Sequence, residues 1–502
     1  MSINNQSPTA NSQQPPANSQ SLTANSQQPP ANSQTLTFLH KLLYGSGDWG
    51  LSSTGMLRSV FYAIYLTDVV GLDARIGSFA ALFGIVWDAI NDPIVGMISD
   101  RVRTKRGRRL PFLLWFGIPF GLSFVLLWWA PPWRSQAALA IHITLAFAIA
   151  DTLSTLISIP FLSLTPELTP DYDERTTLTS FRTFFQLTSS LAVVIFAPMI
   201  VDGVMAAGAS QQQGFLLVGA VFGGLAIPPY LIMPFVFKER TIVEEPKPIS
   251  LREMLRTAWA NRPFRFLAGV HTMNWSAVDM VAVTFPYFSL YWIAQGDPLA
   301  GVNIFGFHLA LESAILGTLM LTTVCFVPFW MWLSKRTNKR RAYLTGMIFW
   351  VINQVLILTV QPGEVTKMLA FSVLLGIGLS SAYVLPDSMF PDIIEWDELK
   401  TNRRQEGIYY GARAFIRKLA SALTVFITLQ LLGWAGYVPP SDDTLQFTQS
   451  ESTLTMIRLM VSPISAVILS GAILSAWFYP LTREKHAKIR ELLEKKRSAV
   501  GD

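Results

Sequence analysis

The sequence predicts an all-α membrane protein of twelve transmembrane helices in two pseudo-symmetric six-helix bundles. Three observations predict it. First, 51% of the 502 residues are hydrophobic and only 14% are charged, against roughly 25% charged in an ordinary soluble domain. So few charges cannot cover a water-facing surface of this size, which disfavours a soluble enzyme, a coiled coil and a disordered chain. Second, apolar stretches at 43–69, 76–99, 110–131, 137–164, 177–201, 214–237, 264–293, 304–333, 342–361, 367–390, 406–436 and 453–479 each reach 20 residues. About 20 helical residues cross roughly 30 Å of hydrocarbon. Third, Lys and Arg gather in alternate joints. The joint after the second stretch carries Arg101, Arg103, Lys105, Arg106, Arg108 and Arg109, and the joint after the eighth carries Lys335, Arg336, Lys339, Arg340 and Arg341. The intervening joints hold almost none. By the positive-inside rule the even joints and both termini are cytoplasmic, with the plasma membrane as the expected location. Nucleic acid is an inferior explanation for basic residues split among short loops beside membrane spans.

The elements follow in order. Residues 1–40 hold no Asp, Glu, Lys or Arg, and TANSQQPPANSQ occurs twice, at 9–20 and 23–34. Such a segment buries too little apolar surface to order itself, and a disordered tail is expected. Residues 41–237 make the first bundle. A cytoplasmic link follows at 238–263, with an amphipathic surface helix over 249–261. Residues 264–480 make the second bundle, and 481–502 a basic cytoplasmic tail. The halves echo each other: GMISDRVRTKRGRR (96–109) returns as WMWLSKRTNKRR (330–341), and Pro, acidic residues and then an Arg follow both the fourth and the tenth stretch. Such repeats suit a transporter that rocks about a site at the membrane midplane.

Ionisable side chains inside spans are costly and mark function. In the second stretch Asp88, Asn91 and Asp92 fall on one helical face, and Pro93 leaves the Ala89 carbonyl without its helical donor. Two carboxylates, an amide oxygen and a spare carbonyl suit a small hard cation. The repulsion between the carboxylates equally suits a proton. Coupling to Na⁺ or to H⁺ is expected, with no resident cofactor. In the fourth stretch Asp151, Thr155 and Ser158 share a face. Thr155 can complete the cation shell, and Asp151 either accepts from a substrate hydroxyl or pairs with Arg58. In the second half Lys418 is the deepest cation and is expected in a central cavity, whereas Arg417 is expected to snorkel to the cytoplasm. Asp279 and Glu312 are further buried candidates, and His142 and His308 are expected to be structural. The single Cys325 excludes a disulfide framework and a cysteine metal cage. No His-rich motif, GxSxG or metal-ligand spacing supports a membrane enzyme. A transport-dead receptor would be expected to have lost the cation residues.

TDVVGL (67–72), WDAINDPIVG (87–96) and the basic joint ending GRR (107–109) resemble the glycoside–pentoside–hexuronide:cation symporters of the major facilitator superfamily, which include the melibiose carriers. KLLYGSGDWG (41–50), SIPFLSLTPEL (158–168), DERTTLTSFRTFF (173–185) and DIIEWDELKTNRRQEGIYYGARAFIRKLASAL (392–423) fit the same family. The resemblance implies the major facilitator fold and cation-coupled symport by a functional monomer. It implies a cation site of Asp88, Asn91, Asp92 and Thr155, and a substrate site including Lys418 and Tyr383, where melibiose carriers have a sugar-contacting Trp. It also implies a cytoplasmic conformational lock, expected at Asp100, Arg101, Arg108, Arg109 and Arg182. At the positions where those carriers hold sugar hydroxyls with two aspartates, this chain has Ser52 and Ser158. Asp151 is the expected substitute. The first expectation is therefore a sugar, glycoside or uronide as substrate. The sodium-dependent lysophosphatidylcholine symporters, which also lack the sugar aspartates, supply the second: a lysolipid with its phosphate on Lys418.

Overall fold

The computed structural model describes residues 36–169, 172–239, 251–304, 307–401, 405–440, 447–481 and 483–500. The duplicated N-terminal motif and residues 240–250 of the central link lie outside them, as do the side chains of Asp100 and His308.

The chain is an all-α, multi-spanning membrane protein. The first half comprises α1 (Phe38–Val60), α2 (Ala74–Arg101), α3 (Leu110–Leu127), α4 (Gln136–Ser163), α5 (Tyr172–Ala206) and α6 (Gln211–Val236). A short amphipathic helix, α7 (Leu251–Ala260), leads into α8 (Arg262–Tyr287). Then come α9 (Leu311–Arg336), α10 (Lys339–Leu356), α11 (Val365–Thr401), α12 (Glu406–Trp434), α13 (Glu451–Leu459), α14 (Ser465–Trp477) and α15 (Arg483–Val500). Among the described residues, ten helices are long and apolar enough to cross a membrane. α1 and α8, each prolonged by further helical turns to Val69 and Ile293, carry more polar residues and run among them.

The helix starts are written in short polar side chains. Asp73 accepts from the Arg75 amide (2.8 Å), Asn338 accepts from the Arg341 amide (2.6 Å), and Ser210 with Gln213 forms a reciprocal capping box. Each satisfies an amide that the first helical turn leaves free. Between spans, Leu122, Ile141, Val467 and Leu474 point outward. In water such a surface would aggregate; against lipid it costs nothing.

Three differences from the sequence reading have physical causes. The span expected from residue 304 begins at Leu311, because Gly301–Ile304 and Phe307–Ala310 pair as an antiparallel hairpin. Four-residue strands carry too little periodicity to separate from a helix. The C-terminal segment expected as a tail is helical, with Ile489 and Leu493 buried. The third difference recurs in both halves: α1 and α8 end in π-helical turns, Tyr65–Val69 and Phe288–Ile293. A π turn rotates the side chains beyond it and often marks a functional site.

Helices α1, α3, α5 and α6 pack together in the first half with α4 against α2 and α3, and α9, α10, α11 and α14 pack together in the second, while α2–α12, α5–α9 and α1–α8 contacts join the halves. Side-chain hydrogen bonds across the halves concentrate at the end opposite the basic joints. There Asp68 accepts from the Tyr291 and Tyr437 hydroxyls. Thr67 Oγ1 lies 2.9 Å from the Tyr287 hydroxyl, and Gln430 donates to Ser78 Oγ at 2.8 Å. Ser313 Oγ donates to the Ile195 carbonyl at 2.9 Å, and Lys418 makes a further cross-half link, deeper toward the basic end.

Candidate functional site

Between the halves lies a cavity of about 280 Å³. α1 contributes Gly55, Arg58, Ser59, Tyr62, Ala63 and Leu66, which recur at helical spacing and so present one face. α2 adds Ala80, Gly84 and Asp88, and α4 adds Ile143, Phe147 and Asp151. α8 and α12 close the opposite wall with Asp279, Val283, Lys418, Val425 and Leu429. The walls are mostly apolar, and the charges lie at the end nearer the basic joints.

Those charges are paired. The Lys418 ammonium reaches from α12 to both α2 carboxylates. It lies 2.7 Å from Asp88 Oδ2 and also donates to Asp92 Oδ2. Thr155 Oγ1 donates to Asp92 Oδ1 at 3.3 Å, and Asn91 is buried with its Nδ2 unpartnered. Asp88, Asn91, Asp92, Thr155 and Lys418 are thus brought together. Asp88 and Lys418 face the cavity. Asn91, Asp92 and Thr155 follow about one turn nearer the basic end. Among the described residues no group of three His, Cys, Asp or Glu side chains could hold a metal ion. A monovalent cation here would draw on two carboxylates and neutral oxygens, and the lysine ammonium now satisfies those carboxylates.

Two ion pairs flank this centre. Arg58 Nη1 donates to Asp151 Oδ1 at 3.3 Å and lies over the Phe147 ring. Asp151 is 6% exposed, and its Oδ2 has no hydrogen-bond partner. Across the cavity Arg417 grips Asp279 through both oxygens, at 2.6 and 3.0 Å, with its guanidinium over Trp275. This corrects the expectation that Arg417 snorkels to the basic end. A bidentate carboxylate on the neighbouring helix and an aromatic face offset the cost of holding it inside.

Ser52 and Ser158 do not line the cavity. Each continues a lining face one to two turns nearer the basic end, Ser52 one turn before Gly55 and Ser158 two turns after Asp151. Tyr383 is also outside the lining and packs edge-on against Trp275, ring centroids 4.9 Å apart. His142 approaches the Trp129 carbonyl (3.2 Å) and the Trp129 and Trp133 rings.

At the basic end the lock candidates separate. Arg108 and Arg109 converge on buried Glu167 at 2.8 and 3.1 Å. The Glu239 carboxylate accepts from three consecutive amides, those of Arg108, Arg109 and Leu110, at 2.6, 2.8 and 2.5 Å. Arg182 pairs with Asp48 instead, at 2.5 Å, and Arg101 is exposed. Sequence reasoning missed Glu167, Glu239 and Asp48. Each lies in a polar joint or a Gly-rich stretch, where an acidic residue reads as solvated. The available signal was a lone acid next to an apolar segment, with a basic joint to face it.

An uncharacterized symporter of Synechocystis sp. is 29% identical, covering 91% of this chain and 96% of its own. Sodium-dependent lysophosphatidylcholine symporter 1 of Gallus gallus is 24% identical over 90% of this chain and 88% of its own. A solved structure of proton dependent oligopeptide transporters superposes with a TM-score of 0.58 at 10% identity, covering 91% of this chain and all (100%) of that one, a likeness of fold. The chain is accordingly a transporter and not an enzyme, and the family model described as MFS/sugar transport protein matches residues 43–483. From Leu43 onward, then, nearly the whole folded chain belongs to the MFS/sugar transport protein family.

Proposed function

We propose that this protein is a cation-coupled symporter of the glycoside–pentoside–hexuronide:cation branch that carries a single-chain amphiphile with a charged head, of the lysophospholipid kind. The supporting observation is the cavity itself: apolar walls above a floor of Asp88, Lys418, the Arg58–Asp151 pair and Asp279, which Arg417 holds from behind. An acyl chain fits the walls and a phosphate fits the cations. A polyol would leave the apolar walls facing hydroxyls, and Ser52 and Ser158 offer no carboxylate to hold one. The order of the two substrate expectations is thereby reversed.

The coupling ion, Na⁺ or H⁺, enters at Asp88, Asn91, Asp92 and Thr155. It displaces the Lys418 ammonium from the carboxylates, and the freed ammonium then holds the substrate head. Neither ligand alone makes the rearranged site favourable, which is the coupling. Arg108, Arg109, Glu167 and Glu239 brace the basic end of the first half so that it moves as a unit. On this reading α1 and α8 are spans as well. That gives twelve spans in two six-helix bundles, residues 41–237 and 264–480, around the 238–263 link. Both termini are cytoplasmic, the location is the plasma membrane, and the monomer is the working unit.

A second reading keeps a sugar or glycoside as substrate. It is favoured by Asp151 Oδ2, an unpartnered carboxylate oxygen in the cavity wall that suits a hydroxyl donor. Uptake into proteoliposomes under Na⁺ or H⁺ gradients, with lysophosphatidylcholine and a panel of glycosides run in parallel, separates the two. Gradient-driven lysolipid uptake that falls to background in Asp92→Asn is expected. Glycoside uptake alone would overturn the lysolipid reading, and full coupling in Asp92→Asn would overturn the cation site.

A further inference from the structure

A second cavity, of about 330 Å³, lies at the basic end of the second half, well away from the central one. Its wall is formed where the α9–α10 joint, the end of α11 and the start of α15 meet. Lys335, Lys339, Arg340, Arg483 and His486 line it; Asp392 is the carboxylate of the lining, and Glu395 stands beside it, 2.8 Å from His486 Nε2. The Asp392 carboxylate is already satisfied: Lys339 Nζ lies 2.8 Å from Oδ1, and His486 Nε2 lies 3.5 Å from the same oxygen.

Among the described residues Lys335, Arg340 and Arg483 have no acidic partner. Arg340 is held by the backbone carbonyls of Trp477 and Tyr479, and Arg483 by that of Lys335 at 3.1 Å. Carbonyls fix a guanidinium in place without cancelling its charge. The Lys335 ammonium has no partner among the described residues. One further group points to a ligand. Tyr479 lines the same cavity at 1% exposure, and its hydroxyl is buried with no hydrogen-bond partner. A buried hydroxyl left unpaired is costly, whereas a charged acceptor beside it makes a strong bond. Trp477 and Phe478, immediately before Tyr479, are 60% and 58% exposed. Exposed aromatics at a helix end sit at headgroup depth in a bilayer.

We propose that this pocket binds a phosphate-bearing anion, held by Lys335, Arg340 and Arg483 with the Tyr479 hydroxyl donating to it, and that the anion clamps α15 against the α9–α10 joint. The phosphate comes either from an anionic lipid headgroup or from free phosphate. The site is separate from transport of the substrate and holds whichever substrate the central cavity takes.

Thermal unfolding of the purified full chain tests it, in phosphatidylcholine nanodiscs with rising phosphatidylglycerol and, separately, in the same nanodiscs with inorganic phosphate against matched chloride. A saturable rise with phosphatidylglycerol alone identifies a headgroup, and one with inorganic phosphate identifies the free ion. Lys335→Gln with Arg483→Gln weakens the response about tenfold or more, since each surface cation contributes on the order of 1 kcal/mol to an anionic phosphate. Tyr479→Phe, which keeps the ring in place, weakens it about tenfold. Should the double variant fail to fold, retention of phosphatidylglycerol by Tyr479→Phe in native mass spectrometry decides. The proposal is overturned if neither ligand gives a saturable rise, or if Tyr479→Phe responds and retains lipid as the parent does.

Discussion

At the scale of single residues, Lys418 carries the most weight. Its ammonium serves two carboxylates of the other half at once, Asp88 and Asp92. The Lys418 side chain is 44% exposed to the cavity, so removing it costs less than the roughly 3–5 kcal/mol of breaking a fully buried pair. Lys418→Gln leaves two carboxylates facing each other, and a small cation is then the best replacement partner. The expected outcome is Na⁺ binding at least as tight as in the parent, measured by calorimetry, together with substrate uptake reduced about tenfold or more. Uptake unchanged in that variant would mean that the lysine only packs. The α2 carboxylates were legible in the sequence because Asp88 and Asp92 share a helical face within an apolar run. Their partner was legible as a deep cation. The bidentate Arg417–Asp279 pair was not, since 138 residues separate its members and neither helix alone predicts the rotation that joins them. Residue spacing reports faces of one element, not which element comes to meet it.

At the scale of elements, the joint between α2 and α3 depends on one glycine. Gly107 has φ +108°, a conformation that L side chains rarely adopt, and a Cβ there would stand 2.3 Å from the Glu239 carboxyl carbon. The same carboxylate caps the three amides that open α3. Gly107→Ala therefore strains the turn and pushes away the cap. A loss of about 1–3 kcal/mol in stability is expected, read as a lowered unfolding midpoint, and Glu239→Gln is expected to lose less because the amide still accepts. Equal stability of Gly107→Ala and the parent would show that the joint reshapes freely. The long spans were readable from apolar runs and alternating basic joints. The hairpin at 301–310 and the π turns were not. Both are local departures a few residues long, shaped by what packs against them.

At the scale of the whole molecule, the two halves are fastened at one end by Asp68 and its tyrosines, and at mid-depth by Lys418. The basic end has its own ion pairs, Arg108 and Arg109 on Glu167 and Lys339 on Asp392, each kept within one half. Swinging the halves apart at the basic end breaks none of these. Opening the opposite end must break the hydrogen bonds to Asp68. The π turns that end α1 and α8 carry Asp68 and Tyr291 to that seam, so the shape of the fastening is set by two matching irregularities in the repeat.

The pairing at Lys418 has an electrical consequence. Arg58 cancels Asp151 and Arg417 cancels Asp279, which leaves two α2 carboxylates against one ammonium. On the proposed reading the vacant cavity thus carries one uncompensated negative charge, and a single monovalent cation discharges it. Voltage should then act on the return stroke, at about 2.3 kcal/mol per elementary charge per 100 mV for a full crossing. Transient currents are expected from reconstituted protein after a voltage step with no substrate and no coupling ion. Currents that arise only in the loaded state would place the moving charge elsewhere.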